Sequence, residues 1–202
     1  MEGDVNQLRE DLLLMDKLEH LEMDFRFFES IPNFSLICSS LRPTLKGIII
    51  DRCERINNNH ISILSRHCNG IEYLLFNGIS SSQITIPMII ESFPKLNGLI
   101  INFSKSYKFE KILNTIAEYD ELAGRFKVKW PEIKFLNIYS NYPDKKEKMI
   151  LENASINTPR KSGHFMMRNI SPHYGMSPFQ IVVQKERTLY DNYKSLFSRN
   201  NT

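Results

Sequence analysis

The sequence predicts an α/β solenoid in which short parallel strands and return helices alternate through about five stacked repeats. Two observations predict it. An apolar motif of the form L-x-x-L-x-L, with aliphatic and aromatic exchanges, recurs as LEHLEMDF from Leu18, LKGIIIDRC from Leu45, IEYLLFNG from Ile71, LNGLIINF from Leu96 and IKFLNIYS from Ile133. Between the motifs the apolar residues follow helical spacing instead, as in Phe34, Ile37, Cys38 and Leu41 at i, i+3, i+4 and i+7.

The motif starts lie 27, 26, 25 and then 37 residues apart. FPKLNGL at 93–99 and WPEIKFL at 130–136 support the register, since both place an aromatic-Pro pair directly ahead of the motif. Positions 1, 4 and 6 of each motif turn inward, where burial of an aliphatic side chain contributes roughly 1.5–3 kcal/mol. One unit cannot bury its apolar side alone, so only joined neighbours offset the ordering cost.

The interval of 37 residues reflects extra sequence between Asn102 and Trp130. It holds the longest helical pattern, KFEKILNTIAEYDEL, with Phe109, Ile112, Leu113 and Ile116 on one side and Gly124 as its C-cap. Asp120 and Glu121 fall at the solvated end of that helix. The repeats therefore occupy a domain of residues 1–143. Residues 144–202 mix Pro, Gly, Ser and Asn without periodicity and read as an irregular tail. Within it TLYDNYKSLF predicts a short helix through Leu189, Tyr193, Leu196 and Phe197.

With 42% hydrophobic and 24% charged residues the composition is that of a globular protein. The tail is basic, with 10 Lys+Arg against 5 Asp+Glu, whereas residues 1–143 carry 16 against 18. Its charges are scattered, which predicts a solvated terminus rather than a nucleic-acid site. Neither a signal peptide nor an apolar run of membrane-spanning length is expected, and three cysteines without a CxxC point to reduced thiols. The expected location is cytoplasm or nucleus. The N-x-S sequons at Asn33, Asn102, Asn153 and Asn169 read as chance in a chain rich in Asn and Ser.

The stretch LKGIIIDRCERINNNHISILSRHCNGI at 45–71 combines both periods, and its pattern of Leu45, Ile48, Ile50, Cys53, Ile56, Asn58, Ile61, Leu64, Cys68 and Ile71 resembles the cysteine-containing leucine-rich repeat of F-box proteins. The other repeats keep the strand motif but have Ile79 and Ser104 where Cys53 stands. The resemblance covers about residues 18–140. It implies a substrate-receptor arm, with an F-box docking on the Skp adaptor of a cullin-based ubiquitin ligase. No L-P-x-E-hydrophobic sequence precedes Leu18, so a regulatory or structural scaffold without a ubiquitin link stands beside that expectation.

No catalytic residue and no cofactor is expected. Cys53, Cys68, His60 and His67 do not form a zinc set in this register, because zinc needs four converging ligands and both histidines belong to the return segment, facing out. The thiols read instead as small buried core residues. No phosphate-binding glycine loop is present. The segment GHFMMRNISPHYGM reads as a cap on the last repeat or as a partner-binding stretch.

Function is expected on the strand positions between the inward ones, since side chains alternate faces. Position 3 gives His20, Gly47, Tyr73, Gly98 and Phe135; position 5 gives Glu22, Ile49, Leu75, Ile100 and Asn137; position 7 gives Asp24, Asp51, Asn77, Asn102 and Tyr139. Together they predict an exposed apolar strip with an acidic edge, which binds a protein or peptide through Ile49, Tyr73, Leu75, Ile100, Phe135 and Tyr139. Asp24 and Asp51 would select its basic flank.

Overall fold

A computed structural model of the chain describes residues 2–80, 84–104, 115, 117–120, 122, 125–130, 133–140, 166–169 and 179–184. It divides into two compact units, one of residues 1–96 and 100–105, the other of residues 97–99 and 106–202.

The first unit alternates helix and strand: α1 (Glu2–Leu14), β1 (His20–Asp24), a 3-10 turn (Phe25–Phe27), α2 (Ile31–Cys38), β2 (Gly47–Asp51), α3 (Asn58–His67), β3 (Tyr73–Ile79), α4 (Ile86–Ser92) and β4 (Gly98–Phe103). The strands lie side by side in the order β1, β2, β3, β4. β1 and β2 are parallel, with His20 opposite Gly47 through to Asp24 opposite Asp51. β2 and β3 are parallel from Gly47 opposite Tyr73 to Ile50 opposite Phe76. Each motif position thus faces its own equivalent, as the intervals of 27 and 26 residues require.

The entries to these strands repeat the same hydrogen bonds. Lys46 and Gly47 both donate their backbone N–H to the Glu19 carbonyl, at 2.8 and 3.0 Å, and Glu72 and Tyr73 do the same to the Lys46 carbonyl, again at 2.8 and 3.0 Å. Positions 1, 4 and 6 point into the core: Leu45, Ile48 and Ile50 are buried, as are Ile71, Leu74 and Phe76, and Leu96, Leu99 and Ile101. The helices close that core from the other side. α2 buries Phe34, Ile37 and Cys38, with Leu41 buried just beyond it, and α3 buries His60, Ile61 and Leu64. α1 packs beside α2, α2 beside α3, and α3 beside α4.

A polar cap starts each return helix because the first N–H groups have no partner within the helix. The Ser30 hydroxyl accepts from the Asn33 N–H for α2, the Asn57 side chain accepts from Asn59 and His60 for α3, and the Thr85 hydroxyl accepts from Met88 for α4. Ser30-Ile31-Pro32 and Thr85-Ile86-Pro87 are one signal used twice, with proline in the first turn, where its missing N–H costs nothing.

In the second unit, β5 (Ala117–Asp120) and β6 (Arg125–Val128) form an antiparallel hairpin. This corrects the expected helix across 108–122 for residues 117–120. The register sets Ala117 opposite Val128 through to Asp120 opposite Arg125, an antiparallel ladder that helical spacing cannot make. Asp120 is accordingly a strand residue, not a helix end; Thr115 is helical, while residues 108–114, Ile116, Glu121 and Gly124 lie outside the described residues.

Also in this unit, β7 (Phe135–Ser140) pairs antiparallel along its whole length with β9 (Phe179–Gln184), and β8 (Met166–Asn169) pairs antiparallel with β9. The irregular reading of the tail is therefore wrong for these two segments. FQIVVQ is rich in β-branched and aromatic residues, but its six residues follow no repeat and find their place only through β7. The expected helix at 188–197 lies outside the described residues. Ile133, Leu136 and Ile138 are buried, and the Lys134 N–H donates to the Asn97 carbonyl at 2.8 Å, joining motif position 2 to motif position 2 across the 37-residue interval.

Candidate functional site

The face opposite the buried positions 4 and 6 carries the candidate site, and its exposure is uneven. In the position 5 column Glu22 is exposed and Ile49 half-buried, whereas Leu75 and Ile100 retain only 8% of their surface. The strip is thus open at β1 and β2 and covered at β3 and β4, a correction to the uniformly exposed row of anchors. Tyr73 is half-buried. Phe135 and Tyr139 belong to β7, but their side chains lie outside the described residues.

Position 3 alternates ring and glycine. A methyl group at Gly47 would sit 2.5 Å from His20 Nδ1, so the imidazole lies across the bare backbone of β2. Only glycine leaves that space free.

Position 7 is a polar ladder rather than an acidic edge. Asn77 Nδ2 donates to Asp51 Oδ1 at 3.1 Å, and Asn102 Nδ2 donates to Asn77 Oδ1 at 3.1 Å. In-register parallel strands permit this, because equivalent amides then stand one strand spacing apart. Asp24, at the other end, is already engaged. Arg26 donates through its backbone N–H and Nε to Oδ1, at 3.1 and 3.2 Å, and through its guanidinium to Oδ2 at 3.0 Å, while Arg52 also donates to Oδ2. The Arg26 hydrogen bonds hold the Asp24 carboxyl below the usual carboxylate range. Asp24 is therefore neutralised within its own chain and does not offer the free charge expected of it. Arg52 reaches Asp24 from a left-handed backbone, φ 51°, immediately after β2.

His60 corrects a second expectation. Rather than facing out, it is 2% exposed, at the first turn of α3, while His67 at the far end is exposed as expected. Its Nδ1 accepts from the Asn57 backbone N–H at 3.3 Å, completing a reciprocal cap with Asn57, and its Nε2 lies 3.1 Å from the Glu29 carbonyl. Capping positions with Asn and His at the N-cap and N3 sites were the signal in the sequence, obscured because the usual partner there is Glu or Gln.

Cys38, Cys53 and Cys68 are free and buried, as small core residues. Burial pushes the Cys53 and Cys68 thiols up to about 12 and raises Cys38 as well. Cys53 Sγ donates to the Asn77 carbonyl at 3.2 Å, beneath the exit of β3. In the folded chain at pH 8 these thiols are expected to react with a disulfide reagent roughly a thousandfold more slowly than in denaturant. One cysteine labelling at the unfolded rate would show that it is not in the core.

Among the described residues no group of three or more His, Cys, Asp or Glu is placed to hold a metal ion, and no helix is long and apolar enough to cross a membrane. Compared with known proteins, the chain matches no family model and no curated protein.

Proposed function

We propose that the chain is a leucine-rich-repeat recognition module that does no chemistry of its own and holds a protein or peptide target on the outward face of its strands, as the substrate-binding arm of an F-box-type ubiquitin ligase component. The observation that carries this reading is the in-register parallel ladder from β1 to β3, which sets equivalent outward residues side by side. Such a face is built from many short strands and changes its specificity residue by residue without disturbing the core. The contact surface is its open end: Ile49 and Tyr73 as apolar anchors, with Asp51 supplying negative charge toward a basic flank of the target.

A photo-crosslinking residue at position 49 tests this, with the same residue at exposed Ser62 on α3 as the control. Adducts with a target from position 49 alone are expected, together with recovery of the Skp adaptor if an F-box stands upstream of the repeats. Ile49→Lys should abolish the target adduct while leaving the melting temperature unchanged, because Ile49 is only half-buried. A target captured without the adaptor would support the scaffold reading instead. Adducts from Ser62 and none from position 49 would remove the strand face as the recognition surface.

A further inference from the structure

We propose that His60 is a pH-sensitive latch on the start of α3: the neutral ring holds the helix N-terminus closed, and protonation of the ring opens it. Hydrogen bonding fixes the ring's state. Because Nδ1 accepts from the Asn57 N–H, the ring proton resides on Nε2, which donates to the Glu29 carbonyl. The latch therefore ties Asn57, the N-cap residue of α3, to Glu29 in the segment just ahead of α2. Phe25 and Phe34 meet the ring edge to face, with centroids at 4.9 and 5.2 Å, and leave water little access.

A second ring proton has no acceptor. It would add an N–H at Nδ1 facing the Asn57 N–H, two donors where the cap needs a donor and an acceptor. Phe25 and Phe34 pack against the ring and offer no acceptor, and the Asn57 side chain is occupied by the N–H groups of Asn59 and His60.

Few charges stand near enough to offset that cost. Glu29 favours the charged ring, but its carboxylate is paired with Arg55 at 2.9 Å. From the 3-10 turn, Arg26 is engaged with Asp24; α2 contributes only the protonated Cys38 thiol; α3 itself carries Arg66 and His67 at its opposite end. Burial is the dominant influence and moves the ring below its ordinary value. The open form consequently takes up a proton first. Stability at this junction is complete above the ordinary imidazole range and declines as pH falls through it, with the opening constant rising about tenfold per pH unit until the closed ring itself titrates.

Residue-resolved hydrogen exchange on the full chain between pH 7.5 and 5.5, corrected for intrinsic exchange, tests the latch. Protection of the α3 amides from Ile61 to Leu64 should fall by up to about fivefold between pH 6.5 and 5.5, and His60→Gln, which keeps a donor for the Glu29 carbonyl but cannot titrate, should abolish that slope. Should the variant not fold, nitrogen chemical shifts of the wild-type ring decide: a neutral Nε2–H tautomer that titrates below the ordinary imidazole value is the expected result. A His60 ring that titrates at or above the ordinary imidazole value, a pH-independent α3 in the wild-type chain, or an unchanged slope in His60→Gln would each overturn the proposal.

Discussion

Phe25→Ala is expected to lower the unfolding free energy by about 3–5 kcal/mol, a large share of the roughly 5–15 kcal/mol that holds a typical domain together. Phe25 is fully buried, and its ring meets Phe34 at 5.8 Å and His60 at 4.9 Å. It is held in the 3-10 turn that follows β1, so truncation leaves a cavity between that turn, Phe34 of α2 and His60 of α3. Urea unfolding measures the effect as a lower midpoint with an unchanged slope. Phe27, two residues on, is 64% exposed, and Phe27→Ala should fall within about 0.5 kcal/mol of the wild type. Equal losses at the two positions would mean that the turn is misplaced.

Removal of residues 144–202 is expected to cost the chain its solubility. β9 pairs with every residue of β7 from Phe135 to Ser140, and truncation after Pro143 removes both β9 and β8. The edge of β7 would then present unpaired backbone groups beside Leu136 and Ile138, a ready template for pairing with other copies. Soluble yield and size-exclusion profile read the outcome: most of the truncated chain should be found as aggregate or soluble oligomer. A monomeric truncated chain with the melting temperature of the full one would show that β9 is dispensable.

Much of the first unit was legible because its signals are local or strictly periodic. L-x-x-L-x-L places the inward residues of each strand, and the near-constant interval carries that placement from strand to strand. Phe34, Ile37, Cys38 and Leu41 likewise mark their helical face without reference to anything distant. The errors concern residues whose partners lie outside the repeating apolar pattern. AEYD continued a helical pattern from the preceding residues, yet opposite RFKV it is a strand. FQIVVQ lacked a periodic neighbour until β7 supplied one. His60 looked like an outward polar residue because a buried imidazole is recognised by its acceptors and donors, here Glu29 and Asn57, rather than by its place in a helical repeat. Asp24 looked like a free charge because the apolar pattern is silent on polar neighbours, here Arg26 two residues on and Arg52 28 residues on.

What the sequence determined by itself is the register: which position of each motif enters the core and which position of the next strand stands beside it. A slip of one residue would turn every buried aliphatic to the opposite face, so the apolar pattern alone excludes the alternatives. What only the tertiary structure decided is the state of the outward positions, with Ile49 partly open, Leu75 and Ile100 covered, Asp24 neutralised and Asp51 tied into an amide ladder. Exposure and charge compensation depend on contacts between segments tens of residues apart, and no periodicity in a single chain encodes them.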